Sequence, residues 1–436
     1  MHIVSNVTCL GCGCTCDDIT VTADRDRIVE ARHACWMGEA WFGDGSAPAL
    51  ALAGGDDVGM EVALEAAAAL LAGAARPLVY LAPELSCEAQ REAVAIADAV
   101  RARLDSVTTA TILPSVLAQQ ERGRAAATLG EVRNRADVVV FWGVDPAARY
   151  PRFAERYAPD PQGLHVPDGR RSRTVVAVDI GNARGPADAD LRVSFPVADE
   201  VAALSMMTAA MSGIGLQPDD VGSGFSQTGS EVNSGFNRTG MAVLLDALLA
   251  ARYAVVVADA EPGEAKEYRD PGRSAALVAL TQALNARTRG ALSLLRAGGN
   301  RPGADAVMTW QTGYPTAVDF GRGVPVYRPY AAPDENFDLI FVAGVGSELP
   351  PALFKATTRI PLIVIGPHAS EVGLPHARVA IDTATAGIHE GGTAFRMDDV
   401  PVPLRPAVDG PPRAAAVLGD LRRRLGAHPR LAPAAG

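Results

Sequence analysis

The sequence predicts an α/β protein with a doubly wound parallel sheet, preceded by a small antiparallel, cysteine-rich segment. Three observations predict it. Five of the six cysteines, Cys9, Cys12, Cys14, Cys16 and Cys35, fall near the start of a 436-residue chain. From about residue 51, short apolar runs alternate with Ala- and Leu-rich helical stretches. Hydrophobic residues make up 48% of the sequence, enough for well-filled interiors and too many for a disordered chain.

The first elements are short β-branched runs, Ile3–Val7, Ile19–Thr22 and Ile28–Ala31, parted by Gly-, Asp- and Arg-rich turns, as small antiparallel strands are. Later come Pro77–Ala82, Asp137–Trp142, Thr174–Val178, Ala254–Ala258, Phe337–Ala343 and Ile360–Ile365. These are almost wholly apolar, which suits parallel strands covered on both faces. Helices are expected between them at Met60–Leu71, Glu88–Arg103, Ser115–Asn134, Asp199–Met211, Met241–Ala251 and Ser274–Asn285. Repeated strand–helix–strand units with right-handed crossovers make the doubly wound sheet. Glycines crowding between about 213 and 240 mark a loop region, and the Pro-, Ala- and Arg-rich tail after about residue 405 is expected to fray.

A formal charge of −10 argues against a sequence-independent grip on nucleic acid, which needs a concentrated basic surface. The short arginine runs at Arg170, Arg171, Arg173 and at Arg422, Arg423, Arg424 read as solvated faces. No uncharged apolar stretch approaches the length of about 18 residues that a membrane span needs. Met1-His2-Ile3-Val4 opens directly into a strand pattern without a basic or long apolar leader, so the expected location is the cytoplasm. In that reducing compartment, clustered thiols point to metal rather than disulfides.

Cys9, Cys12, Cys16 and Cys35 read C-x2-C-x3-C followed by a fourth cysteine after a long gap. That spacing suits the four thiolates of an iron–sulfur cluster. A four-thiolate zinc site and plain buried thiols remain open as alternatives. Cys14 fits no slot and reads as packing; Cys87 reads as a helix-face hydrophobe. The histidines show no H-E-x-x-H or other paired metal spacing, and no G-x-S-x-G elbow is present. Gly344-Val345-Gly346 follows a good strand but lacks the third glycine of a dinucleotide fingerprint. His389-Glu390 before Gly391-Gly392-Thr393 reads equally as a ligand contact or a plain turn. The residues alone name no reaction.

Five segments carry more information together than singly. They are Cys9-Leu10-Gly11-Cys12-Gly13-Cys14-Thr15-Cys16-Asp17-Asp18-Ile19, Thr128-Leu129-Gly130-Glu131-Val132, Asn134-Arg135-Ala136-Asp137 running to Phe141-Trp142-Gly143, Thr309-Trp310-Gln311-Thr312-Gly313-Tyr314-Pro315 with Val318-Asp319-Phe320, and Glu390-Gly391-Gly392-Thr393-Ala394-Phe395-Arg396-Met397-Asp398. In this order they resemble the large cofactor-binding B subunit of formylmethanofuran dehydrogenase. That family belongs to the molybdenum/tungsten bis-pterin oxidoreductases, relatives of formate dehydrogenase. The resemblance implies a fold of the formate dehydrogenase/dimethylsulfoxide reductase type. A cysteine-rich domain would span 1–50, an α/β domain 51–113 and 300–405, an inserted α/β domain 114–299 and a tail 406–436. In the catalytic relatives the pterin lies between the two α/β domains.

The resemblance also implies a lost site. Where the family's dehydrogenases have a metal-ligating cysteine or selenocysteine and then His-Gly-Pro-Ser, this chain reads Thr111-Ile112-Leu113-Pro114-Ser115. Thr111 thus stands at the metal-ligand position and Ile112 at that of the histidine. A neutral hydroxyl is a poor anchor for a soft redox metal, and Ile112 moves no proton. Asp145-Pro146 stands for Asn-Pro, and Phe153 for the histidine after Pro151-Arg152. The expectation is therefore no molybdenum, tungsten or pterin, with Cys9, Cys12, Cys16 and Cys35 as vestigial ligands of a 4Fe-4S cluster that is itself in question, its absence slightly favoured. The setting implied is the bacterial formyltransferase/hydrolase complex, which converts formyl-tetrahydromethanopterin to formate through a methanofuran-type carrier. This chain would be its non-catalytic B subunit, with an amidohydrolase-like subunit, a formyltransferase and a C subunit as partners, and no nucleic acid or membrane partner. The competing readings are an active molybdenum/tungsten dehydrogenase chain and a free-standing iron–sulfur or zinc binding protein.

Overall fold

A computed structural model describes residues 1–213, 238–260, 270, 272–328, 336–345, 349–371 and 377–428. From 214 to 237 the glycine-rich stretch expected as a loop lies outside the described residues. The chain is mixed α/β and divides into two compact units, Met1–Ala110 with Ala297–Gly436, and Thr111–Arg296.

In the first unit, His2–Val7, Ile19–Asp24 and Arg27–Arg32 pair antiparallel. A larger sheet has a parallel centre in the order Arg103–Ser106, Pro77–Leu81, Leu339–Ala343, Leu362–Gly366, Ala377–Asp382, flanked by short antiparallel edges. Its strands are apolar on both sides because successive side chains alternate faces. Val79, Phe341 and Ile363 join one core cluster with the helices, while Leu78, Ile340 and Val364 join another. That double burial is what the continuous apolar runs demanded.

The second unit holds five parallel strands in the order Leu191–Phe195, Thr174–Ile180, Val138–Trp142, Ala254–Asp259, Gly290–Leu295. The chain fills the sheet outward from Val138–Trp142 on one side, then returns beside it with Ala254–Asp259. The winding reverses between these two strands, which makes the sheet doubly wound and opens a crevice at their carboxyl ends.

Three expectations are corrected. The helix expected over Ser115–Asn134 is two, Thr109–Arg122 and Leu129–Arg135. Gly123 turns at φ +75°, and the Thr128 hydroxyl then caps the next helix by accepting the Glu131 N–H at 3.1 Å. The tail does not fray throughout: Ala414–Ala427 is a helix whose Val417, Leu418, Leu421 and Leu425 are buried in the first unit's core. Their helical spacing outweighs the Pro/Ala/Arg composition. Arg173 is no solvated residue. It is buried and donates to the carbonyls of Ala136, Pro159, Pro161 and Arg133, while Arg170 pairs with Asp190.

Candidate functional site

At the reversal point of the second unit the strand ends carry charges. Asp259 closes Ala254–Asp259, and its carboxylate pairs with Arg149. Glu200, the first residue of helix Glu200–Met211, accepts from Trp142 Nε1 at 2.8 Å and from Arg273 Nε at 2.6 Å. Arg273 heads helix Arg273–Asn285 and also donates from Nη1 to the Asp259 carbonyl at 3.3 Å. Glu200, Asp259 and Arg273 are all buried. A cavity of about 110 Å³ lies here, walled in part by Thr111, Pro114, Ser115, Asp259, Arg273 and Ser274. Thr111 is therefore a wall of this cavity, while Ile112 is not among its lining. Hydroxyls, guanidiniums, carboxylates and the Gln119 carboxamide supply the polar lining, and no sulfur does among the described residues. Sequence reasoning missed Glu200, Arg273, Arg149 and Asp259. Only Asp259, a charge ending an apolar run, left a signal.

In the first unit the cysteine loop follows strand His2–Val7. It is pinched shut by Cys9 N–H donating to the Cys16 carbonyl at 2.9 Å and Thr15 N–H to that of Cys12 at 3.1 Å. Thr15 sits at φ +43°, unfavourable for a β-branched residue, so the loop's shape is held against local preference. Its outer side leans on the backbone of the same unit through Gly299 N–H to Leu10 O at 2.8 Å and Met397 N–H to Gly13 O at 3.1 Å. Cys9, Cys12, Cys14 and Cys16 are buried, and Cys35, at the start of helix Trp36–Phe42, is half-buried. A β-carbon on Gly38 would stand 3.5 Å from the Cys9 sulfur and 4.0 Å from that of Cys35. Burial pushes the Cys9 thiol well up, and the neighbouring Cys12, Cys16 and Cys35 add to the rise against a lowering hydrogen bond from Gly11. The four thiols thus share one neighbourhood. Even so, among the described residues no group of three or more His, Cys, Asp or Glu side chains is disposed to hold a metal ion. Cys87 stands elsewhere, buried in the apolar core with its sulfur accepting from Asn300 Nδ2 at 3.4 Å.

His389 and Glu390 face inward as structural groups. The His389 Nε2 lies 2.7 Å from the Gly45 carbonyl and Nδ1 accepts the Thr385 N–H at 3.2 Å, which fixes the neutral tautomer with the proton on Nε2. Burial holds the His389 pKa below its usual value. The Glu390 carboxylate accepts the Ala414 N–H at 2.7 Å, and burial raises its pKa. The two act in opposite senses. The stability due to a neutral His389 is present above about pH 6.5 and is lost as pH falls through the depressed native value. Urea unfolding at pH 7.5 and 5.5 should therefore show wild type losing more stability on acidification than His389→Gln; equal losses would remove His389 from the pH response.

No family model matches the chain. Curated relatives do. The B subunit of the tungsten-containing formylmethanofuran dehydrogenase 2 of Methanocaldococcus jannaschii is 32% identical over 428 residues, 94% of this chain and 95% of that protein. The chain belongs to the family of formylmethanofuran dehydrogenase B subunits. The protein of the same name from Methanococcus maripaludis is 29% identical over the same shares. The fold of this family also recurs in a chain of the X-ray structure of the formyltransferase/hydrolase complex from Methylorubrum extorquens in complex with methylofuran. There the TM-score is 0.68 at 23% identity, covering 86% of this chain and 98% of that one. The resemblance read from the five sequence segments is borne out at the level of the family.

Proposed function

We propose that this chain is a non-catalytic, scaffold-like B subunit of a formyltransferase/hydrolase complex that passes a formyl group from tetrahydromethanopterin through a methanofuran-type carrier to formate. The observation that carries the reading is the wall around Thr111. A family whose relatives are named as tungsten-containing offers here, among the described residues, hydroxyl, carboxamide, guanidinium and carboxylate groups and no thiol. That donor set does not fit a thiolate-anchored molybdenum or tungsten, and no step is routed through either. A chain of the same fold sits in a formyltransferase/hydrolase complex, which supports amidohydrolase-like, formyltransferase and C subunits as partners. In domain terms, a cysteine-rich 1–50, an α/β domain of 51–113 with 300–405, an inserted 114–299 and a terminal 406–436 match the reading.

Cys9, Cys12, Cys16 and Cys35 are the residues that would hold an iron–sulfur cluster. The Cys9 thiol, whose pKa burial pushes up, would have to ionise to do so, so loading would release a proton there. Such a cluster would brace the loop, having no redox centre to serve.

Elemental analysis and visible absorbance of the purified complex test the reading. Zinc from the hydrolase partner, with neither molybdenum nor tungsten at stoichiometric level, is the expected result. Either metal, bound with pterin, would establish the competing reading of an active dehydrogenase chain.

A further inference from the structure

At the amino ends of strands Leu362–Gly366 and Ala377–Asp382 the first unit carries a pocket of about 360 Å³ that the scaffold reading leaves unused. Open α/β sheets hold their ligands at the opposite, carboxyl ends. Leu362 stands beside Ala377 but Ile363 beside Val379, so Arg378 is the additional residue of a β-bulge. A bulge re-aims a side chain, and Arg378 lines the pocket. Its carbonyl accepts the Gly54 N–H at 2.9 Å, which ties the bulge to the Gly54-Gly55 turn in the pocket wall. Both turn residues have positive φ, +66° and +97°, which glycine adopts without strain.

Arg359 lines the same pocket. Both arginines are exposed, and neither pairs with a carboxylate among the described residues. No Asp or Glu is found among the described residues of the lining, in a chain of net charge −10. Two like charges without a counterion favour an anion and repel a cation. Helix Pro351–Ala356 ends beside them, and open carbonyls at a helix carboxyl end would oppose an anion. Here those carbonyls are taken. Leu353 O accepts the Thr357 N–H, and Ala356 O those of Arg359 and Ile360. Phe354 O accepts the Thr357 hydroxyl at 2.7 Å, and Lys355 O that of Thr358 at 2.9 Å. The pocket holds roughly a dozen waters at about 30 Å³ each, room for a phosphate and a short organic group. A phosphate offers oxygens to both guanidinium forks, and no aromatic ring among the described lining residues offers a stacking platform for a base.

We propose that this pocket binds a phosphate dianion, free or as the monoester of a small molecule, on Arg359 and Arg378. The inference stands on this pocket alone and does not require the scaffold reading.

Titration calorimetry of the full chain with inorganic phosphate and with glycerol 3-phosphate tests it, at constant ionic strength and above the second phosphate pKa of about 6. Glutarate serves as a dicarboxylate control. Saturable binding of at least one phosphate is expected. Tighter binding of the ester assigns the remaining volume to an organic group, and tighter binding of inorganic phosphate assigns the site to the free ion. Arg359→Gln and Arg378→Gln should each weaken binding about tenfold or more, as the loss of a charge-assisted hydrogen bond implies. Both side chains are exposed, so neither substitution strands a buried partner, and urea midpoints should match that of wild type. No saturable binding of either phosphate overturns the proposal. So does glutarate binding as tightly as both, or unchanged affinity in the double variant.

Discussion

Glu200→Ala is expected to destabilise the second unit by about 3–5 kcal/mol, the usual cost of stranding one member of a buried ion pair. Glu200 receives two donors at once, Trp142 Nε1 and Arg273 Nε, and both partners are themselves buried. Removing the carboxylate leaves a buried guanidinium charge without its counterion. The loss measures that stranded charge rather than the intrinsic worth of the pair, since buried pairs often break even against apolar replacements. Glu200→Gln keeps an oxygen acceptor but no charge, so it should lose less. Urea unfolding followed by tryptophan fluorescence, which Trp142 reports directly, gives the comparison. A Glu200→Ala midpoint close to that of wild type would mean that Arg273 finds another partner.

The strands were legible because parallel strands buried on both faces leave no polar alternation: Val138–Trp142 and Leu339–Ala343 are buried at every position. The split near Gly123 was missed because an Ala-rich stretch carries helical composition straight across it, although Thr128 with Glu131 spells a capping box. The terminal helix was missed for the reverse reason, composition having been read ahead of the spacing of Val417, Leu421 and Leu425. The cysteine spacing put Cys9, Cys12 and Cys16 on one loop, whereas how close the thiols come depends on how that loop leans on Gly299 and Met397. Of the charges at the second unit's strand ends, only Asp259, ending an apolar run, was legible. Glu200 and Arg273 meet from elements 73 residues apart, and each alone looks like an ordinary helix-start residue.

Asn300→Leu is expected to cost the first unit about 3 kcal/mol or more, from two buried backbone groups left unpaired at roughly 1–3 kcal/mol each. The Asn300 side chain is fully buried. Its Nδ2 donates to the Leu85 carbonyl at 3.0 Å and its Oδ1 accepts the Phe395 N–H at 2.8 Å. Its backbone N–H donates to the Pro83 carbonyl, and its carbonyl accepts from Gln90 Nε2 at 3.2 Å. One residue thus ties together the loop before helix Cys87–Ala99, that helix itself and strand Gly392–Phe395. Leucine nearly matches the volume and satisfies neither backbone group. Asn300→Asp separates the two bonds: it retains an acceptor for Phe395 but sets an oxygen against the Leu85 carbonyl, so it should be no better than leucine. Gly303 offers a second route to the same loss, because a β-carbon there would stand 2.0 Å from Asn300 Oδ1 and must expel the side chain. The consequence reaches the cysteine loop, since Gly299, one residue before Asn300, holds Leu10 through its N–H. Thiol titration under native conditions should show Cys9, Cys12 and Cys16 reacting faster in Asn300→Leu and Gly303→Ala than in wild type, with Cys35 least changed. Destabilisation without that gain in reactivity would mean that the loop is held by its own turns, and that the neighbourhood of the four thiols is set independently of the core beneath it.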